Sequence, residues 1–404
     1  MRFHLNLPGA TQDWLSHLKL RASWGQNGSI AGLGGYRYDV VITSAGTYPT
    51  GNVLPNGNWE YITSYMPSAA GNPELKWETA EQTNIGVDAR FFGDRLSVSA
   101  DWFVKNTKDL IIPGIKPSTV MGATASPMNV GNIMNRGIEL ELGWQDNIGN
   151  FHYGIRGNIS TIENKVTEIH ETLNALDGQT FHTYGAITRF ETGRPAWYLY
   201  GYEFAGIDPN TGNPTFVDQL TEDSDGDGVF DMGDGTIDDK DKTMIGNPMA
   251  DITYGLTFNA AWKGFDVIVF GTGAIGNDIY ACLNRSDYNL NKLTYYTENR
   301  WTETNTAGTT PKAGASEMDK YYLSSANVFD GSYFKIKQIQ VGYTFPKHLT
   351  KRLNVENLRI YASLDDYFTF TDYIGFDPEI TNGGVDKGTY PTSRKVVAGL
   401  SLAF

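Results

Sequence analysis

Three aspartates at alternating positions, Asp223, Asp225 and Asp227, run directly into Gly228 and Val229. Oxygen ligands spaced in this way suit a hard cation. In a calcium loop of the EF-hand type, carboxylates take the first, third and fifth places. A glycine makes the sharp turn at the sixth, and a backbone carbonyl serves at the seventh. The twelfth place needs an acid that closes the shell with both oxygens. Here it is Asp234, one methylene shorter than the usual glutamate, so closure is poorer or passes to Asp238 or Asp241. The expectation is an acidic calcium-type loop over 218–246 with Ca²⁺ as a structural ion. Its candidate ligands are Asp223, Asp225, Asp227, the Val229 carbonyl, Asp234, Asp238 and Asp241. The competing reading is a solvated acidic loop, against which stand Gly228 at the turn place and the apolar Phe230.

Other reactive side chains form no recognisable constellation. His4, His17, His152, His170, His182 and His348 are scattered, none with partners at metal-ligand spacing. No nucleophile elbow, phosphate loop or zinc-binding helix occurs. The expectation is therefore no catalytic residue, no cofactor for chemistry and no enzyme. Glu139 and Glu141 share a strand face, which suits the wall of a wet lumen better than an acid–base pair. Asp88, Arg90, Asp101, Lys105, Arg156 and Asn158 would face the same way and could touch a polar substrate; hydration of the wall explains them equally well.

The elements that would hold these residues are strands. Aromatics make up 13% of the chain and glycines number 45, whereas charged residues are only 19%. That mixture favours strands and turns over helices. Mean hydropathy is −0.35, and no apolar run is long enough for a membrane helix. A membrane barrel stays open to such a sequence, because its strands alternate apolar and polar residues. A net charge of −14 speaks against nucleic acid as a partner. The single cysteine, Cys282, excludes an intrachain disulfide. Arg2–Leu7 has neither the length nor the apolar core of a secretory signal, so a missing N-terminal portion is expected.

Period-two alternation is clear in Leu96–Lys105, Ile138–Trp144 and Asp251–Trp262, and similar strands are expected near 17–24, 80–92, 150–163, 264–276, 333–345, 357–370 and 393–404. Two weaker strands are expected near 197–206 and 213–219. Most are longer than the usual soluble strand of about 5–6 residues and match the about 9–11 that cross a bilayer. Gly93-Asp94, Asp146–Gly149 and Lys263-Gly264 make short connections, whereas 25–76, 108–132, 164–248, 277–332 and 371–392 are long and polar. Short turns at one end and long loops at the other is the layout of an outer-membrane barrel. Phe91, Phe92, Trp144, Trp262, Tyr343 and Phe345 all precede the short connections, where an interfacial aromatic girdle belongs. The last strand ends on Phe404 with Leu400 and Leu402 on one face.

Six ordered blocks then give a specific resemblance. They read LKLRASWG from Leu18, NPELKWETAEQTNIGVD from Asn72, NRGIELEL from Asn135, YFKIKQIQVGYTFP from Tyr333, FTDYIGFDPEI from Phe370 and YPTSRKVVAGLSLAF from Tyr390. In type and order they resemble the SusC/RagA family of TonB-dependent transporters, from near the start to the last residue. The segment DGTIDDKDKTMIGNP also resembles that family's version of the acidic loop. One departure is Asp366-Tyr367, where the family usually has Asn-Leu. The resemblance implies an all-β fold: the C-terminal half of an antiparallel transmembrane β-barrel, with about 10–12 of about 22 strands. Residues 1–404 would all belong to one barrel domain, with the plug and earlier strands elsewhere. It also implies import of oligosaccharides or peptides across a bacterial outer membrane, a SusD-type lipoprotein lid, and energy from TonB through the plug. Alternatives are a non-transporting fragment of a broken reading frame and a soluble β-rich binding or adhesive protein.

Three structural expectations follow. Ile138, Leu140, Leu142, Trp144, Leu256 and Phe258 face lipid, and Glu139, Glu141, Asp88 and Arg90 face the lumen. Every long loop lies outside the cell, with the C-terminus periplasmic. The chain alone is an open half-barrel, its strand near 17–24 unpaired with that at 393–404.

Overall fold

A computed structural model describes residues 2–4, 14–30, 39–40, 42–67, 71–112, 126–223, 230–284, 293–351, 354–380 and 382–404. Its framework is one antiparallel meander: β1 (Leu15–Ser29), β2 (Glu78–Phe91), β3 (Leu96–Ile112), β4 (Met128–Ile148), β5 (Phe151–Thr161), β6 (Ile252–Trp262), β7 (Phe265–Ile275), β8 (Tyr333–Thr344), β9 (Asn357–Thr371) and β10 (Lys395–Ala403). Each strand pairs with the next in sequence. Arg2–His4 lies on the outer edge of β1, and Glu163–Ile169 pairs with the first part of β4. Among the described residues β1 and β10 do not meet, so the sheet is open.

Register shows why the alternation matters. Leu142 is level with Val98 and Ala89 on one side, and with Gly157, Leu256, Gly271 and Ile336 on the other. One residue along, Glu141 is level with Ser99, Asp88 and Lys19, and with Asn158, Gly255, Thr272 and Lys335. One face is thus apolar and the other polar, as a side-chain period of two requires. Among the described residues nothing covers the apolar face: Ile138 is 56% exposed, Leu256 48% and Leu400 61%. In water such a face would be a liability; against hydrocarbon it is satisfied.

The short connections are tight for local reasons. Phe92, Gly93 and Asp94 all take positive φ, as do Lys263 and Gly264. Two successive left-handed residues match the twist of the flanking strands in a hairpin. Beside these turns aromatic rings pair. Phe92 meets Trp144 at 6.5 Å, Phe265 meets Tyr343 at 4.6 Å and Tyr343 meets Phe345 at 5.0 Å between ring centroids.

At the opposite end the structure corrects the sequence reading. The segments expected as barrel strands near 197–206 and 213–219 are strands, but they stand outside the meander. Tyr198–Tyr202 is the centre of a separate four-stranded sheet with Ala175–Asp177, Thr188–Glu191 and Lys242–Gly246. All five of its residues are buried, which a strand between lipid and lumen cannot be. Phe204–Ile207 and Pro214–Phe216 form a small hairpin of their own. These pieces pack with Phe181, Ile187, Tyr280, Tyr322 and Val385 into a Tyr-rich core, which makes the described parts of the connections 164–248 and 277–332 a folded cap. The connection 25–76 also carries a hairpin, Ile42–Val53 with Trp59–Pro67. The strands outrun expectation as well: β3 and β4 have 17 and 21 residues and so rise clear of the bilayer on the cap side.

Candidate functional site

The polar face of the meander gathers the charged side chains. Arg21 donates to Asp88 at 2.9 Å, to Asp101 at 2.7 Å and to Ser99 at 3.2 Å, and Lys19 pairs with Asp88 at 3.2 Å. A Cβ at Gly86 would run into the Asp101 carboxylate, so glycine is what lets that acid reach across to Arg21. Arg156 pairs with Glu141 at 3.4 Å, and Arg359 with Asp266. Asp88, Arg90, Asp101, Lys105, Arg156 and Asn158 share this face, together with Glu139 and Glu141. The polar wall runs from β1 to β9, with Ile268 and Phe270 of β7 as apolar members.

Nearer the cap, a segment of chain is fastened onto that wall. Lys335 of β8 is 2% exposed. It pairs with Asp377 at 3.0 Å and Glu379 at 3.2 Å. Lys337 also reaches Glu379, and pairs with Asp366 at 3.3 Å. Asp377 further accepts from the backbone N–H of Glu379 and of Thr392. Burial would raise the Asp377 carboxyl, but Lys335 and these donors outweigh it and hold the acid below its ordinary range. Asp366 itself is held in an unusual backbone conformation. The residue has φ of 53°, the left-handed region that Asn and Asp tolerate best. Beyond it, Val385–Asp386 pairs with Asp278–Ala281, joining the segment to the cap.

This fastening carries a prediction. Lys335→Met leaves Asp377 buried without its cation, a loss of about 3–5 kcal/mol for a buried pair broken on one side. Proteolysis at 372–392 in the membrane-embedded full-length protein should then increase sharply. An unchanged cleavage rate would show that the ion cluster does not hold the segment. Because Asp377 is depressed, its contribution is present above the ordinary aspartate pKa and is lost as pH falls through the lowered value. Cleavage in the unmodified protein should therefore rise only under strong acid.

The acidic loop is reached last. Asp225, Asp227 and Val229 lie outside the described residues. Asp223 stands beside the Glu222–Met232 bridge. Asp241 is buried, and its two oxygens accept from the backbone N–H of Gln219 at 2.8 Å and of Asp238 at 2.7 Å. Asp238 caps the turn at Asp239–Asp241 through the Lys240 N–H. Asp234 accepts from Thr236 N–H and pairs with Lys240 at 3.2 Å, which lowers its pKa. Among the described residues no three acids, histidines or cysteines converge as a metal group. Asp218, outside the expected set, accepts from Gly235 N–H with one oxygen; its other oxygen is buried and has no partner among the described residues, nor has the Thr221 hydroxyl.

Comparison with known proteins follows the same outline. The family described as TonB dependent receptor-like, beta-barrel matches residues 6–358. TonB-dependent receptor P3 of Formosa agariphila is 31% identical over 96% of this chain and 39% of its own length. TonB-dependent receptor SusC of Bacteroides thetaiotaomicron is 26% identical over 96% of this chain and 38% of its own. Among solved structures, the RagAB peptide transporter superposes with a TM-score of 0.80 at 26% identity, over 97% of this chain and 41% of that one. The chain thus spans about two fifths of the length of the curated relatives it matches.

Proposed function

From the premise that this chain belongs to the SusC/RagA family of TonB-dependent receptor-like β-barrels of the outer membrane, we propose that the full-length protein imports a polymeric nutrient. The observation that carries the reading is the polar, charge-lined wall from β1 to β9, backed by an apolar face and overhung by a folded cap. A wall of that kind lines a water-filled path. The proposed cargo class is oligosaccharide or peptide. A SusD-type lipoprotein would close over the cap, and TonB would act through parts of the protein beyond this barrel section. The long connections would be extracellular and the C-terminus periplasmic. The arrangement serves passage rather than catalysis. The uncovered apolar face disfavours a soluble adhesive protein.

The test is growth or uptake in the native host. Deleting the full-length gene should abolish use of one glycan or peptide source, and restoring it should require TonB. Growth on every such source without the gene would remove the reading.

The acidic loop 218–246 is read as a structural calcium site of this transporter. Asp223, Asp225, Asp227, the Val229 carbonyl and one of Asp234, Asp238 or Asp241 would hold the ion. Asp218 supports the reading through a buried oxygen that has no partner among the described residues. Extracellular sites work at dissociation constants of about 10⁻⁴–10⁻³ M, so imperfect closure is tolerable. Chelator should lower the melting temperature of the full-length protein, and Asp225→Ala should remove that sensitivity. Equal chelator responses in the two proteins would eliminate the site.

A further inference from the structure

On the apolar face, between β4 and β8, lies a recess of about 400 Å³ walled by Leu140, Leu142, Ile159, Tyr254, Leu256 and Phe334. Its shape has a definite origin. Gly157 of β5 forms the floor: a Cβ there would meet only the Gly255 carbonyl at 3.6 Å and a Leu256 methyl at 3.7 Å. On β7, Gly271 and Gly273 leave no such room, because the Phe334 and Tyr254 rings lie over them. Those two rings stack nearly parallel, 5.9 Å apart and inclined by 5°, and Phe370 continues the row at 6.3 Å from Phe334. The rings make one bank of a furrow and the leucines of β4 the other.

Register puts this furrow in the hydrocarbon band. Leu142 lies six residues before the turn-side end of β4 at Ile148, about 20 Å along a strand that rises about 3.4 Å per residue. Its walls are mainly apolar side chains; Asn158, whose side chain lies on the other face, and Gly255 also line it. Water needs two or more polar partners to occupy a cavity, and among the side chains that line it from this face only Tyr254 carries a polar group. A recess that water does not fill, set in a medium of hydrocarbon chains, is filled by that medium.

We propose that this furrow is a binding site for one acyl chain of a bilayer lipid, held more persistently than lipid elsewhere on the barrel. Gly157 sets the depth, and the Tyr254–Phe334 stack fixes one wall so that the furrow does not close by side-chain rotation. The ligand is recognised by shape and apolarity alone.

The test uses the full-length transporter, purified without its lipoprotein partner, in nanodiscs of phospholipid carrying a diazirine in the acyl chain. After irradiation, adducts mapped by mass spectrometry should concentrate on Ile159 and Leu256 relative to Val98, which is level with Leu142 two strands from Ile159. Gly157→Phe fills the furrow and should bring Ile159 and Leu256 down to the level of Val98. Ala100→Phe, on the same face, should not. Gly157→Leu serves as a second filling variant if the phenylalanine impairs assembly. Equal labelling of Val98 and Ile159, or enrichment that survives both filling variants, would overturn the site. So would enrichment that requires the lipoprotein, which would assign the furrow to that protein's lipid anchor, or protein–protein adducts at these positions, which would assign it to a second copy.

Discussion

Leu142→Lys is expected to abolish assembly of the full-length barrel, while the adjacent Glu141→Lys leaves it nearly intact. The two residues are neighbours on β4 but point to opposite faces, Leu142 level with Val98 and Gly157, Glu141 level with Ser99 and Asn158. Lysine on the lipid face near the midplane costs about 2–4 kcal/mol. At Glu141 the same side chain enters a wet wall. It gives up an ion pair with Arg156 whose members are 52% and 71% exposed, and pairs that open to solvent are worth about 0–1 kcal/mol. The measurement is the folded, heat-modifiable fraction in outer membranes. Equal losses for the two variants would mean that β4 has no lipid face.

An even larger effect is expected when the 404 residues are made alone. Behind a signal peptide and with no other copy of the transporter, they should give no uptake and no protease-resistant barrel. Among the described residues the sheet ends at β10 on one side and at Arg2–His4 beside β1 on the other, and these edges do not meet. Inside a bilayer each backbone N–H or C=O without a partner costs several kcal/mol, and nothing there replaces water. A strand edge presents such groups along the about 9–11 residues that cross the membrane. Closure into a smaller barrel would require β1 to pair with β10. Uptake by the isolated chain, or a measured hydrogen-bond ladder between those strands, would contradict the expectation.

The meander was legible because each strand faces two unlike media, which imposes a period of two that no other demand overrides. Leu96–Val104 and Ile252–Trp262 show it, and both lie in strands, the second at those bounds and the first continuing to Ile112. The same rule misled at Tyr198–Tyr202. Tyr-Leu-Tyr-Gly-Tyr has the composition of a girdle strand, and only its burial on both sides reveals a cap sheet. The hairpin Ile42–Val53 with Trp59–Pro67 escaped notice because Gly46, Pro49 and Gly51 break its pattern, and its register slips at the same places. The polar wall could be read from sequence, but its fastening could not. Lys335 and Asp377 are 42 residues apart, and only the return of the segment after β9 brings them together. A lysine in an otherwise alternating strand, followed much later by an Asp-Pro-Glu triplet, was the one available signal. The acidic loop shows the opposite limit, since its motif is plain in sequence while Asp225, Asp227 and Val229 lie outside the described residues.

The assignment of one face to lipid and the other to a lumen is tested most directly by single cysteines at 138–143 of the full-length protein in intact outer membranes. The only native cysteine of this section, Cys282, is buried and contributes little background. A membrane-impermeant thiol reagent is expected to modify positions 139, 141 and 143 and to spare 138, 140 and 142. Uniform reaction along the strand, or modification of the even positions alone, would contradict it.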